Sequence, residues 1–215
     1  TAGTTWHAAG LMVTFGSLSS TSTEWRKYSK LLYQSLEAET GQSTGFLGCG
    51  FIELATEPDR LEEYRRVAAF NRKEGVDVQE IDAREVSSLF PLCRTDDVLA
   101  GFYVADDGRV NPVDATQALA KGFRLLGGTI VEGVECQDIL TEDDAVVGLQ
   151  TSAGTIKTDY VVNCGGLWAR ELGKQHGVLI PNQAAEHYYL LTDAMPQVDP
   201  SWPVVEDPRN YAYIR

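Results

Sequence analysis

The sequence has 215 residues, of which 43% are hydrophobic and 23% charged, and its net charge is −13. This length allows a sizeable buried core, and the composition is typical of a globular protein. Because 31 acidic side chains outnumber 18 basic ones, no basic face is expected, which argues against nucleic acid and anionic membranes as partners. No apolar run reaches the roughly 18 residues that a membrane-spanning helix needs.

Four cysteines are scattered along the chain without a CxxC pair: Cys49, Cys93, Cys136 and Cys164. This spacing argues against a zinc site and against a dense disulfide framework, so we expect no metal. Reduced cysteines indicate an intracellular protein, either in a bacterial cytoplasm or in a mitochondrial matrix. The chain starts without methionine, and we expect it to be the middle part of a longer protein.

The first half of the chain alternates predicted helices and strands. Apolar residues at three- and four-residue spacing predict a helix from Glu24 to Glu39, which Gly41 ends. The remaining predicted elements of this half are a strand at "FIELA", a helix from Pro58 to about Gly75, a short helix in "DAREVSSLFP", a strand at "VLAGFYV" and a helix that begins at Asn111-Pro112 and ends at Gly127-Gly128.

The second half is richer in predicted strands. Three runs joined by tight turns predict a β-meander: "TIVEGVECQDIL", "AVVGLQT" and "TIKTDYVVNC". A short helix over Leu167–Gly173, a strand over Ala184–Thr192 and a strand in "NYAYIR" follow. The fold class is therefore α/β. Helices and a β-meander occur in one chain, and no single position in the sequence separates the chain into two domains. If two domains are present, they are interleaved.

The opening stretch "GTTWHAAG" predicts a tight loop that a large group approaches. Its threonines offer hydroxyls, its alanines and Gly10 have little bulk, and His7 supplies a nucleophilic nitrogen near neutral pH. Composition alone favours a surface turn with a solvated histidine. A dinucleotide fold normally also shows GxGxxG, and the nearest match, "GCGFIE" at Gly48–Glu53, lacks the third glycine.

Four further stretches allow both a structural and a functional interpretation. In "VVNCGGLWARELG", a buried strand at Val161-Val162 that runs through glycines into a helix could meet an anionic ligand or form an ordinary βα turn. "GTIVEGVEC" is typical of a core strand, and "AEHYYLLT" of the aromatic face of a sheet. "ADDGRVNP" is typical of a surface turn.

The order of these stretches resembles the FAD-dependent amine oxidoreductases of the dimethylglycine and sarcosine dehydrogenase family, from "GTTWHAAGL" through "VEDPRNYAYIR". In that family the histidine of the "TWHAAG" loop is bonded covalently to the flavin 8α-methyl group, and His7 occupies its place. The resemblance also implies a backbone contact between Val134 and the adenine. The remaining implied cofactor-binding residues are Thr4, Thr5, Ala8, Gly10, Cys164, Gly165 and Gly166.

The resemblance implies an active site as well. His187 and Tyr213 match a histidine and a tyrosine that face the flavin and orient a small N-methyl amine, from which hydride passes to FAD and leaves an iminium ion. Asp107 and Arg109 are minor candidates near the flavin. The electron acceptor is expected to be oxygen or an electron-transfer flavoprotein.

An incomplete, Rossmann-like FAD-binding domain is expected over residues 1–45 and 107–177. It is interleaved with a mixed-sheet substrate domain over residues 46–106 and 178–215. As an isolated polypeptide, the chain is expected to bind FAD weakly and to turn over little substrate.

Two alternatives remain open. The first is a non-catalytic, flavin-fold regulatory subunit similar to that of pyruvate dehydrogenase phosphatase, in which the flavin-linking histidine is expected to be missing. The second is a relative of the D-amino-acid and glycine oxidases, which hold FAD noncovalently. His7 favours the covalent amine oxidoreductase.

Overall fold

The computed structural model describes residues 3–215 and confirms a mixed α/β fold. In chain order its elements are a 3-10 turn (Thr5–His7), β1 (Leu11–Met12), α1 (Ser20–Thr40), β2 (Phe51–Ala55), α2 (Pro58–Lys73), β3 (Gln79–Ile81), α3 (Ala83–Leu89), β4 (Ala100–Val104), β5 (Gly108–Arg109), α4 (Pro112–Leu125), β6 (Cys136–Glu142), β7 (Ala145–Thr151), β8 (Gly154–Lys157), a 3-10 turn (Gly166–Trp168), α5 (Ala169–Gln175), β9 (Val204–Asp207), a 3-10 turn (Pro208–Asn210) and β10 (Ala212–Ile214). Within the described residues, no helix is both long and apolar enough to cross a membrane.

The chain forms two compact units. The first runs to Thr129 and includes Met195–Arg215, and the second is Ile130–Ala194. The division into FAD-binding and substrate domains stays a prediction, since compactness does not report which ligand a unit binds.

Local capping signals account for the helices of the first unit, which lie where the sequence predicts them. The Ser19 hydroxyl accepts a hydrogen bond from the Ser22 amide at the start of α1, and Gly41 ends this helix in the left-handed conformation at φ 65°. Pro58 occupies the first turn of α2. At α4, the Asn111 side chain accepts hydrogen bonds from the amides of Val113 and Asp114.

A five-stranded sheet in the order β10-β9-β2-β4-β3 forms the centre of the first unit. β9 pairs parallel to β2, and the other neighbours pair antiparallel. Because side chains alternate along a strand, Phe51 and Phe102 face α2 and pack with Phe15 and Tyr64. On the opposite face, Ile52 packs in the cluster that includes Val86 of α3 and Val205 of β9.

A short ladder joins the opening segment to the segment before α4. β1 pairs antiparallel with β5, so that Leu11 lies opposite Arg109 and Met12 opposite Gly108. The Val110 amide extends this ladder by donating to the Gly10 carbonyl at 2.8 Å. The ladder therefore places the 3-10 turn of Thr5–His7 beside the start of α4.

The second unit contains the predicted meander, formed by β6, β7 and β8 in antiparallel order. β6 and β7 are joined at Asp143 and Asp144, whose φ values of 49° and 63° are typical of a type I′ hairpin turn. The helix predicted over Leu167–Gly173 is present as a 3-10 turn followed by α5.

Three predicted strand segments are wrong. No β-strand is present over 128–135, at Val161–Val162 or over 184–192, and Val162 is 83% exposed rather than buried. A strand needs a neighbour to pair its amides and carbonyls, and no strand of the described residues pairs with these segments. Residue type alone therefore predicts strands in these three segments, although none of them has a neighbouring strand with which to form hydrogen bonds in the described structure.

Candidate functional site

The opening motif forms one turn of 3-10 helix that carries His7 on the surface of the first unit. The His7 amide donates to the Thr4 carbonyl and the Ala8 amide to the Thr5 carbonyl, each at 3.2 Å. The ring centroids of Trp6 and His7 lie 3.6 Å apart at an interplanar angle of 37°. The turn thus presents an aromatic ring and an exposed imidazole together.

Gly10 anchors this turn and admits no side chain. Its φ of +69° lies in the left-handed region, and a Cβ atom there would collide with the Val110 carbonyl oxygen. The same Cβ would lie 2.9 Å from an Nη atom of Arg215. Gly10 therefore has a backbone angle that residues with a side chain rarely adopt, and it lies close to the backbone of Val110.

A cleft of about 490 Å³ opens beside the turn. Its lining includes Trp6, Gly45, Arg109 and Arg215, together with residues 110–113, which lead into the start of α4. Arg109 is held in place because its Nη2 atom donates to the Pro200 carbonyl at 2.8 Å. Two guanidinium groups and an indole therefore meet in one concave site within the first unit.

Asp107 does not lie on a surface turn. Its side chain is fully buried, and its carboxylate accepts hydrogen bonds from the Thr14 amide at 2.7 Å and the Thr14 hydroxyl at 2.8 Å. Lys30 of α1 lies 3.2 Å from the same carboxylate. Burial raises the pKa of Asp107, and these donors oppose the shift. Because its oxygens are engaged by these donors, Asp107 ties α1 to the loop before β5.

The second unit contains the implied cofactor-binding residues Val134 and 164–166. Val134 is half-buried just before β6. The segment 164–166 is exposed and is braced by Asn163, whose side chain accepts from the Gly165 amide at 3.1 Å and donates to the Ala169 carbonyl at 2.9 Å. Gly166 has a φ of +57°, and a Cβ atom added there would meet nothing within 4 Å. The loop is thus open enough for a close ligand.

The two predicted active-site residues lie in different units. His187 lies on an exposed segment of the second unit without regular secondary structure, whereas Tyr213 is half-buried in β10 of the first unit. Their joint role at a flavin stays a prediction.

Sequence reasoning missed the contribution of Trp6 and Arg215 to the cleft. A signal was available for Arg215. Arg215 stands two residues after Tyr213, a candidate for the site, although Arg215 itself follows the end of β10 at Ile214.

Comparison with known proteins supports the resemblance along the whole chain. The profile of the FAD dependent oxidoreductase (DAO) family matches residues 1–215. The chain is 34% identical to mitochondrial dimethylglycine dehydrogenase of Rattus norvegicus, over 100% of this chain and 25% of that protein. It is 35% identical to 4-methylaminobutanoate oxidase (formaldehyde-forming) of Paenarthrobacter nicotinovorans, over 99% of this chain and 26% of that protein.

A relative whose name describes a different role is similar to the same degree. The mitochondrial pyruvate dehydrogenase phosphatase regulatory subunit of Mus musculus is 35% identical over 100% of this chain and 25% of that protein. Among solved structures, L-proline dehydrogenase from P. horikoshii superposes with a TM-score of 0.83 at 22% identity, over 99% of this chain and 56% of that one. The chain spans about a quarter of the length of the relatives it matches. By the family profile and the shared fold, this chain belongs to the FAD dependent oxidoreductase family.

Proposed function

We propose that the protein containing this chain carries out the flavin-dependent oxidative demethylation of a small N-methyl amine of the dimethylglycine or sarcosine type. The observation that carries this proposal is the exposed turn beside a cleft, because this turn holds His7, the residue that the resemblance matches to the flavin-linking histidine. The similarity to dimethylglycine dehydrogenase and 4-methylaminobutanoate oxidase supports it.

The residues of the opening turn fit a flavin. Gly10 has no side chain and packs closely against the Val110 carbonyl, and Ala8 adds little bulk. The hydroxyls of Thr4 and Thr5 can donate hydrogen bonds. An imidazole is nucleophilic near neutral pH, so we propose that His7 forms the covalent link to FAD. Val134 and the open loop 164–166 are proposed to contact the cofactor from the second unit.

Bound FAD supplies the acceptor for the hydride that leaves the N-methyl carbon. The residues of the chain then bind and orient the amine, and a neutral nitrogen must be held in place because a protonated one cannot release hydride from the adjacent carbon. We assign this orienting role to His187 and Tyr213. We propose oxygen or an electron-transfer flavoprotein as the electron acceptor, and a bacterial cytoplasm or a mitochondrial matrix as the compartment.

Acid precipitation of the full-length protein tests the covalent link. Wild type is expected to leave yellow flavin in the pellet, and His7→Ala to release the flavin to the supernatant or to lose it altogether. His176→Ala serves as the matched control, because His176 accepts a hydrogen bond from the Ile139 amide at 3.2 Å in the second unit and has no assigned role in flavin binding. A yellow pellet from His7→Ala would refute the assignment of His7.

The second candidate function is a non-catalytic regulatory subunit, favoured by the 35% identity to the pyruvate dehydrogenase phosphatase regulatory subunit. This candidate predicts a wild-type protein that is colourless after purification and does not oxidise dimethylglycine or sarcosine. Flavin content and amine oxidation in one preparation therefore separate the two functions.

A further inference from the structure

We propose that His176 is a proton-operated switch in the second unit. When its ring is neutral it holds the backbone amide of Ile139 on β6, and when its ring is protonated it holds the carboxylate of Asp138 instead. All three residues lie in the second unit. The inference does not depend on the proposed function, because it rests only on contacts within this unit.

One nitrogen atom of His176 faces two partners with opposite requirements. The Nε2 atom accepts a hydrogen bond from the Ile139 amide at 3.2 Å, and it lies 3.0 Å from the Oδ1 atom of Asp138. An unprotonated Nε2 can accept from the amide, but its lone pair then faces the lone pairs of the carboxylate. A protonated Nε2 can donate to the carboxylate, but its proton then faces the amide proton. A single protonation state therefore satisfies one contact at the expense of the other.

The position of β6 explains why the Ile139 amide needs a side-chain acceptor. β6 lies at the edge of the meander, and its pairing with β7 has a register shift between Cys136 and Asp138. Amides on the outer side of an edge strand have no neighbouring strand to accept their hydrogen bonds. His176 directly follows α5 and supplies the acceptor from 37 positions away. Its ring therefore attaches the end of α5 to the sheet.

The surroundings of the ring allow it to gain and lose a proton. The His176 side chain is 25% exposed and the Asp138 side chain 53% exposed, so solvent reaches both. Histidine is the side chain that ordinarily changes charge between about pH 5 and 8. The other titratable or charged side chains of β6 and α5 are Cys136, Glu142, Arg170, Glu171 and Lys174. In the described part of the chain, Asp138 is the acid within ion-pair distance of the ring, so it is the partner for the protonated state.

α5 connects this switch to the open loop 164–166. The helix has seven residues, and at its start the Asn163 side chain donates to the Ala169 carbonyl at 2.9 Å. At its end the Val178 amide donates to the Gly173 carbonyl at 2.9 Å. These bonds stabilise α5 and its flanking loops internally, whereas the bond from Ile139 joins the helix to the sheet. Protonation is therefore expected to loosen α5 and the loop 164–166 from β6 without unfolding the helix.

NMR spectroscopy of the full-length protein, labelled with 15N in isoleucine amides and histidine rings, tests the switch between pH 8 and pH 5. At pH 8 we expect the ring of His176 to carry its proton on Nδ1, because Nε2 accepts from the amide. On acidification the Ile139 amide signal should shift with the same midpoint as the ring signals. Its protection from exchange, corrected for the pH dependence of a free amide, should fall about fivefold. The Ile156 amide on β8 serves as the reference within the same sheet and should not follow the ring.

Two variants separate the two partners of the ring. His176→Gln supplies an amide oxygen that can accept from Ile139 but does not titrate, so the pH dependence of the Ile139 signal should disappear. Asp138→Asn removes the partner of the protonated ring and should move the midpoint to lower pH by about 0.5. Asp159→Asn is the matched control, because Asp159 is exposed in the second unit. An unchanged Ile156 signal shows that each variant is folded.

Three outcomes overturn the switch. The first is a ring that carries its proton on Nε2 at pH 8. The second is a pH-dependent Ile139 signal that persists in His176→Gln, and the third is an equal midpoint in Asp138→Asn and Asp159→Asn. Acid precipitation reports the flavin link independently, so a failure of the proposed function leaves these three outcomes interpretable.

Discussion

Glu53 is a half-buried acid outside the proposed site. It lies on β2 directly opposite Glu206 of β9, and it is hydrogen-bonded to Tyr64. Burial raises the pKa of Glu53 from 4.5 to about 7, and the neighbouring carboxylate of Glu206 adds to the rise, while Arg60 and Arg26 oppose it. The folded protein therefore favours the protonated form of this carboxyl below about pH 7.

This raised pKa predicts that stability decreases as pH increases from about 4.5 to 7. In that interval the unfolded chain releases the proton of Glu53 while the folded chain keeps it, so the free energy of unfolding falls and then levels off. Glu53→Gln should remove this slope. The free energy of unfolding of Glu53→Gln minus that of wild type is expected to be roughly 2–3 kcal/mol larger at pH 8 than at pH 4.5.

Urea denaturation at pH 4.5, 5, 6, 7 and 8 measures the effect of Glu53→Gln. Glu37→Gln provides the control, because Glu37 is exposed on α1. Parallel stability profiles for Glu53→Gln and wild type across this range would show that Glu53 does not titrate with folding.

At the scale of single elements, α3 depends on a reciprocal cap. The Asp82 carboxylate accepts hydrogen bonds from the amides of Arg84 and Glu85 at 2.8 and 2.9 Å, and the Glu85 side chain accepts from the Asp82 amide at 2.8 Å. A helix of only seven residues has few internal hydrogen bonds to replace a lost cap. Val86 of this helix is fully buried against the central sheet.

Asp82→Ala is therefore expected to lower the free energy of unfolding by about 1–2 kcal/mol, which urea denaturation at pH 7 measures. Asp77→Ala removes an exposed carboxylate just before β3 and serves as the control. The role of the cap would be contradicted if both variants had the same urea midpoint as wild type.

Helices were predictable from the sequence because their signals are local. Gly41, Pro58 and Asn111 each act within a few residues, and each marks a helix boundary in the structure. A strand instead needs a pairing partner that can lie far away in sequence, which is why the apolar segment Val161–Val162 predicts a strand that the fold does not form.

The candidate site likewise has one part that the local sequence predicts and another that depends on long-range contacts. His7 was recognisable from its own motif, whereas the cleft beside it requires the segments of Arg109 and Arg215 to meet. These two arginines are 106 positions apart (215 − 109), and no sequence pattern near either arginine predicts that the two lie in one cleft. Arg215 follows Tyr213 by two residues, but only the fold brings Arg215, just after the end of β10, to Gly10.

At the scale of the whole molecule, the excess of acid dominates the electrostatics. The chain carries 31 acidic and 18 basic side chains, so most long-range interactions between its charges are repulsive. Exposed ion pairs such as Arg65–Glu62 offset this repulsion only slightly, because pairs in water contribute about 0–1 kcal/mol each. The cationic cleft is a local exception that the net charge does not reveal.

Added salt is therefore expected to stabilise the protein. At 0.1 M the Debye length is about 10 Å, which screens repulsion between distant surface carboxylates more than it weakens contacting pairs. Raising NaCl from 10 to 150 mM should increase Tm by about 2–4 °C, which corresponds to roughly 1 kcal/mol for a chain of this size. Differential scanning calorimetry of the flavin-loaded protein measures the shift. KCl should match NaCl, since screening depends on ionic strength, and sucrose at equal osmolality should not reproduce the effect. A Tm that falls with NaCl would mean that exposed ion pairs outweigh the repulsion of the 13 excess negative charges.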